Sequence, residues 1–329
     1  MKVLAGAALA TGFVRTRLGA MPFKKLASAK KLANLGAEVV AFAPLESGSV
    51  VAAVTTDPVK VSVHPIGAGN HRVTNVSLDE AHGAALIDKK VAVVKSGDDL
   101  WALLDIQHTP KIEQVGRDIR SLHGCPKGGT ALAIGWDGNG AALGLQNNEV
   151  GGRQFVLRGD VRCASLTTER CYVVVDGGGG QLREHPGGTP ESGALARGDL
   201  PDEAKGLDRL AGGQDLCALA KRGGSSVCVI RREGAQAFGA KMIDVPSVVD
   251  VAVIATSLFV LGADGRLRLY DSEALAGGPD VSPTFELGVG GDGAPTTLAS
   301  TQKGGNKLWV GTAAGDVIRV DAVKGNLEV

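Results

Sequence analysis

The chain has 329 residues and balances 35 basic against 35 acidic side chains, so it carries no formal net charge at pH 7. That balance offers no basic excess to neutralise phosphates, which argues against a nucleic-acid partner, and no apolar run of about 18 residues is present to span a membrane as a helix. Glycine is abundant at 48 and aromatics make up only 4% of the chain, a composition that fits many short strands joined by tight turns around a core of Val, Leu, Ala and Ile.

Residues 1–36 precede the first clear hairpin. Val3 to Val14 is apolar, but only Lys2 stands before it, and Arg15 and Arg17 follow where a small-residue cleavage site would be needed. It therefore reads as a strand rather than a signal peptide, with Gly12 to Leu18 expected to complete the last sheet. Pro22 to Leu35 reads as a short helix or solvated connection ending at Gly36, its lysine pairs Lys24-Lys25 and Lys30-Lys31 facing solvent.

Hairpins then follow one another. Val50 to His64 turns around Thr56-Asp57, Ala92 to Asp105 around Asp98-Asp99, and Ala131 to Gln146 around Asp137-Gly138. Tyr172 to His185 turns around Gly178-Gly179, and Leu216 to Arg231 around Gly223-Gly224. The clearest is Leu258 to Asp271, LFVLGADGRLRLYD: an apolar run, an Asp-Gly pair expected to form a two-residue turn, and a strand alternating with period two. Shifted by fifty residues without a gap, Leu308 to Asp321 repeats it as LWVGTAAGDVIRVD. Pro186 to Pro201 and Ser272 to Gly293, rich in Gly and Pro, read as long exposed loops and candidates for partner contact.

With turn markers at positions 57, 98, 138, 179, 224, 265 and 315, the spacings are 41, 40, 41, 45, 41 and 50 residues. A period of about 40 to 45 residues with four strands per unit is the signature of a β-propeller blade. The expected fold is therefore all-β: a seven-bladed β-propeller of four-stranded antiparallel blades, its ring closed by N- and C-terminal strands. Residues 1–329 form one domain in this reading, with 1–36 as closing strand and connection and the blades over about 37–329.

The stretch LGADGRLRLYD resembles the apolar run, Asp-Gly turn and aromatic-Asp ending of WD-repeat proteins, with Tyr270-Asp271 where that family has Trp-Asp. Val320-Asp321 and Leu104-Asp105 depart further, and the family's Gly-His pair is not recognisable. The expected function is a non-enzymatic scaffold, cytoplasmic and a subunit of a complex, and the resemblance implies that proteins dock on the turns between the second and third strands of its blades. It points to Asp98, Asp99, Asp137, Asn139, Lys221, Arg222, Asp264 and Arg266, each of which is also ordinary turn chemistry.

The five cysteines contain no C-x-x-C pair and read as small buried hydrophobes; Cys163 with Cys171, and Cys217 with Cys228, fall on adjacent strands and would bridge only in an exported chain. Asp137 and Asn139 mimic the start of a calcium loop, but the hairpin turn explains every residue there. No metal or cofactor is expected. The alternatives are a metal-assisted hydrolase or lactonase working in the central channel, for which Asp88, His123, Arg162, Asp208 and Asp250 are the available inner-strand side chains, and an exported ligand-binding propeller.

Overall fold

In the computed structural model, residues 23–324 are described apart from positions 68, 127, 158, 168, 177–179, 188–192, 278–279 and 303–305. The expected closing strand Gly12 to Leu18 lies outside the described residues. Strands form where the repeats place them, and burial grades across each sheet. The second strands Leu216–Ala220 and Ser257–Gly262 are buried at every position, while the outermost Lys111–Gly116 is exposed or half-buried throughout.

Seven antiparallel sheets result, six of them in simple up-and-down order and the seventh completed by two strands from the N-terminal part of the chain. Their inner strands are Val39–Leu45, Gly83–Asp88, Ile119–Gly124, Asp160–Leu166, Arg209–Gly212, Val248–Ile254 and Pro295–Thr301 for blades one to seven. Each blade buries an apolar face against the next, so the core is divided into seven clusters, one per blade-to-blade interface. The chain is an all-β seven-bladed propeller.

The turns are where the local chemistry is most legible. The Asp264-Gly265 pair does not form a two-residue loop: Gly265 N–H donates to Gly262 C=O and Leu261 pairs with Leu267, giving a longer turn closed by Gly265 at φ +73°. Gly315 closes the blade-seven turn the same way at φ +92°, and a Cβ there would stand 2.7 Å from Gly36 N. Only glycine fits both the left-handed backbone and that close approach.

The two long loops are not loops throughout. Ala196–Asp199 inside the first and Phe285–Gly288 inside the second are the outermost strands of blades four and six. The fifty-residue spacing comes from the connection that precedes Phe285–Gly288. There Asp271 accepts from the N–H groups of Glu273 and Ala274 at 3.0 and 2.9 Å and organises the short 3₁₀ turn Ala274–Ala276.

Ring closure also corrects the sequence reading. Residues Phe23–Leu26 and Lys30–Asn34 are strands, not a helix, and both pair with the edge of Asp316–Lys324 in blade seven. Lys, Leu and Ala favour helix locally, but propensity is weak against an open sheet edge whose N–H and C=O groups need partners. Asp316, fully buried, receives Lys31 Nζ and Asn34 Nδ2, both at 2.6 Å, and Asp292 N–H at 2.7 Å. Burial alone would raise its carboxyl pKa, yet these partners hold it below the ordinary value.

Candidate binding face and central channel

Antiparallel order puts the turns between second and third strands at the same end of the ring as the crossovers between blades. All eight sequence-predicted residues stand at this end, on the turns of blades two, three, five and six. They are spread around the ring rather than gathered. Asp137 accepts from the backbone and side-chain amides of Asn139 at 2.9 Å and 2.6 Å, and these bonds hold its carboxyl below the ordinary range. Asp264 accepts from Arg268 and from Arg266 N–H, again with a lowered carboxyl pKa, the Arg268 bond being the main cause. Arg266 pairs with Glu286 at 2.8 Å, and Asp98 lies 3.8 Å from Lys95 Nζ. Asp99 is half-buried, while Lys221 and Arg222 are exposed, with Arg222 4.0 Å from Glu38 at the entrance to blade one.

The sequence reading missed the most distinctive group on this face. Trp136, on the blade-three turn beside Asp137, is 59% exposed, and Val156, whose strand position pairs with Asn139, is 73% exposed. The Arg120 guanidinium lies 6.0 Å from the Trp136 ring centroid. Arg120 and Arg162 each occupy a slip in the pairing near the start of their inner strands, in blades three and four. Such bulges re-aim a side chain, here toward the channel mouth. Arg120 Nη1 is 3.4 Å from the exposed Asp160, and its buried Nε and Nη2 have no acceptor among the described residues. The signal for this cluster was an aromatic residue inside a turn motif rather than in a strand.

The inner strands line a central cavity of about 600 Å³. Of the five channel candidates, His123, Arg162, Asp208 and Asp250 reach it, whereas Asp88 sits at the far end of its strand, accepting from Lys90 N–H. Arg162 is committed to Asp176 and to the carbonyl of Ala204 at 2.8 Å. Asp250 accepts from Val251 N–H, Leu298 N–H and Thr297 Oγ1, with Arg209 3.8 Å away, so it fastens blade six to blade seven. Its burial nevertheless raises the carboxyl pKa. Among the described residues no three His, Cys, Asp or Glu side chains converge as a metal site needs, and no helix is long and apolar enough to cross a membrane.

All five cysteines are buried free thiols. The expected pairs do lie on adjacent strands but not opposite one another: Cys163 faces Val174, and Cys217 faces Ile230. Burial pushes Cys163, Cys171, Cys217 and Cys228 up to about 12, which leaves them protonated at neutral pH.

Two histidines are held neutral. Burial and the Arg120 charge bring His123 down to about 4, and burial with the neighbouring His71 does the same for His64. Each ring shares a hydrogen bond with a serine, His123 with Ser121 at 3.0 Å and His64 with Ser62 at 2.9 Å. For His64, only 1% exposed, this sets a sign for stability. The unfolded chain takes up the proton near 6.5 and the folded chain only near 4, so stability is complete above pH 6.5 and falls as pH drops between these values, by roughly 3 kcal/mol at the limit. Urea unfolding at several pH values should show this slope reduced in His64→Gln; equal slopes would reject the assignment.

No protein-family model matches the chain, and no curated protein matches it.

Proposed function

We propose that this propeller is a non-enzymatic docking platform of the WD-repeat type, acting in the cytoplasm as a subunit of a complex and binding a protein partner through the turn face centred on Trp136. The observation that carries the reading is Trp136 itself, 59% exposed on that face. Tryptophan and arginine are the residues that most often dominate protein interfaces, because a rigid aromatic plane buries a large area at small entropic cost. Arg120 beside it extends that anchor, and Val156, opposite Asn139, adds exposed apolar surface at the same end of the ring. A platform without chemistry of its own is supported by the channel's commitments: Arg162 and Asp250 are engaged in contacts that hold blades together. The buried thiols fit a reducing compartment.

The test is Trp136→Ala, compared with wild type in capture of partners from the native cell. Partner affinity should fall ~30-fold or more, equivalent to about 2 kcal/mol, with the urea midpoint unchanged. Leu195→Ala, on the opposite end of blade four, should leave binding intact. Equal loss in both variants, or none in Trp136→Ala combined with charge reversal at Asp98, Asp99 and Asp264, would remove this face from consideration.

A further inference from the structure

On the opposite end of the ring from Trp136, at the seam where blade seven meets blade one, lies a pocket of about 220 Å³. Its walls come from distant parts of the chain. Lys30 stands on the closing strand, Arg319 on Asp316–Lys324, His64 at the end of the third strand of blade one, and His71 in the loop that follows. The rings of His64 and His71 stack at 5.0 Å and 16° between planes. His64 forms the floor, with its Nε2 engaged by Ser62.

The charge in this pocket is one-sided. No carboxylate lines it, yet two permanent cations do. Arg319 Nη1 donates to Gly67 C=O at 3.2 Å, which fixes the guanidinium at the rim, and its Nε is 3.8 Å from Asp321. Asp321 is itself engaged by Lys307 at 2.8 Å. Arg319 Nη2, Lys30 Nζ and both His71 ring nitrogens have no hydrogen-bond partner among the described residues. Many of the chain's other cations have a carboxylate at hand, including Arg162 with Asp176, Arg268 with Asp264 and Glu286, and Lys31 with Asp316. A concave site with convergent donors and no carboxylate in its lining is the arrangement that selects an anion.

We propose that the seam pocket binds a small oxyanion, the phosphate or carboxylate class, with Lys30 and Arg319 supplying charge and the exposed edge of His71 supplying a hydrogen bond. A planar guanidinium suits an oxyanion's paired oxygens, and the stacked imidazoles give the pocket a flat wall. Because Lys30 and Arg319 belong to the closing blade and His64 and His71 to blade one, an occupied pocket clamps the ring shut. The proposal does not depend on the docking face.

The experiment is a titration of the whole chain with inorganic phosphate and, separately, with O-phosphoserine, each against chloride at matched ionic strength, followed by the His71 ring resonances and by calorimetry. Saturable shifts are expected in the wild type, with affinity reduced tenfold or more in Lys30→Gln and in Arg319→Gln. Lys30→Gln, on an exposed side chain, guards against a folding defect in the strand variant. Tighter binding of O-phosphoserine would assign the site to a phosphomonoester, and equal binding to a free anion. Absence of saturation with both probes, or unchanged affinity in both variants, overturns the proposal.

Discussion

Replacing Arg232 with alanine should destabilise the propeller by about 3 kcal/mol, because it leaves a buried carboxylate with half its partners. Glu184, on the third strand of blade four, is only 1% exposed and is gripped by Arg170 Nε at 2.6 Å and by Arg232 Nη2 from blade five. Arg232 is held in turn by the carbonyl of Ala235 at 3.0 Å and the Phe238 ring at 4.7 Å. Removing the arginine deletes a cross-blade bond and leaves Glu184, which lines a cavity of about 500 Å³, with Arg170 as its remaining cation. Truncating Arg170, whose side chain is 41% exposed, should cost less. The double variant Glu184→Leu with Arg232→Leu should recover much of the loss, since removing both partners of a buried ion pair is often close to neutral. Urea denaturation of these variants, with Glu184→Leu and Arg232→Leu measured singly, decides the matter. If the double variant loses the sum of the single losses, the buried charge is not the cause.

The period was readable because turn chemistry is local. Gly265 and Gly315 must adopt left-handed backbone whatever surrounds them, and the second strands are apolar along nearly their whole length. The outermost strands were not readable. Ala196–Asp199, Phe285–Gly288 and Lys30–Asn34 are short, polar and half-solvated, and they become strands only because a neighbouring edge supplies hydrogen bonds. The same distinction governs the candidate sites. Positions on the turn face follow from strand order, so Asp137 and Asp264 could be placed from sequence. The exposure of Trp136 and the bulge that turns Arg120 toward the channel depend on how two blades meet. The seam pocket joins residues 30, 64, 71 and 319, and no local pattern links them.

That seam is also where the ring should be easiest to open, and Trp309→Ala should open it at a cost of about 3–5 kcal/mol. Among the described residues its apolar cluster has eight buried members, against sixteen between blades six and seven. Trp309 is fully buried there, its ring 6.4 Å from Phe42 and 6.2 Å from His64, and its indole N–H reaches Thr301 Oγ1 at 3.3 Å. One side chain therefore supplies much of what holds blade seven to blade one, beside Thr296 Oγ1 donating to Val39 C=O at 2.5 Å. Truncation leaves a cavity and strips the floor beneath His64. Amide exchange should then accelerate first in blade one and in Lys30–Asn34, while blade four keeps its protection. Leu308→Ala, in the same strand but facing the larger interface with blade six, should lower stability without selectively exposing the seam. Uniform loss of protection around the ring in Trp309→Ala would show instead that the propeller unfolds as a single unit and that the seam is no weaker than the other interfaces.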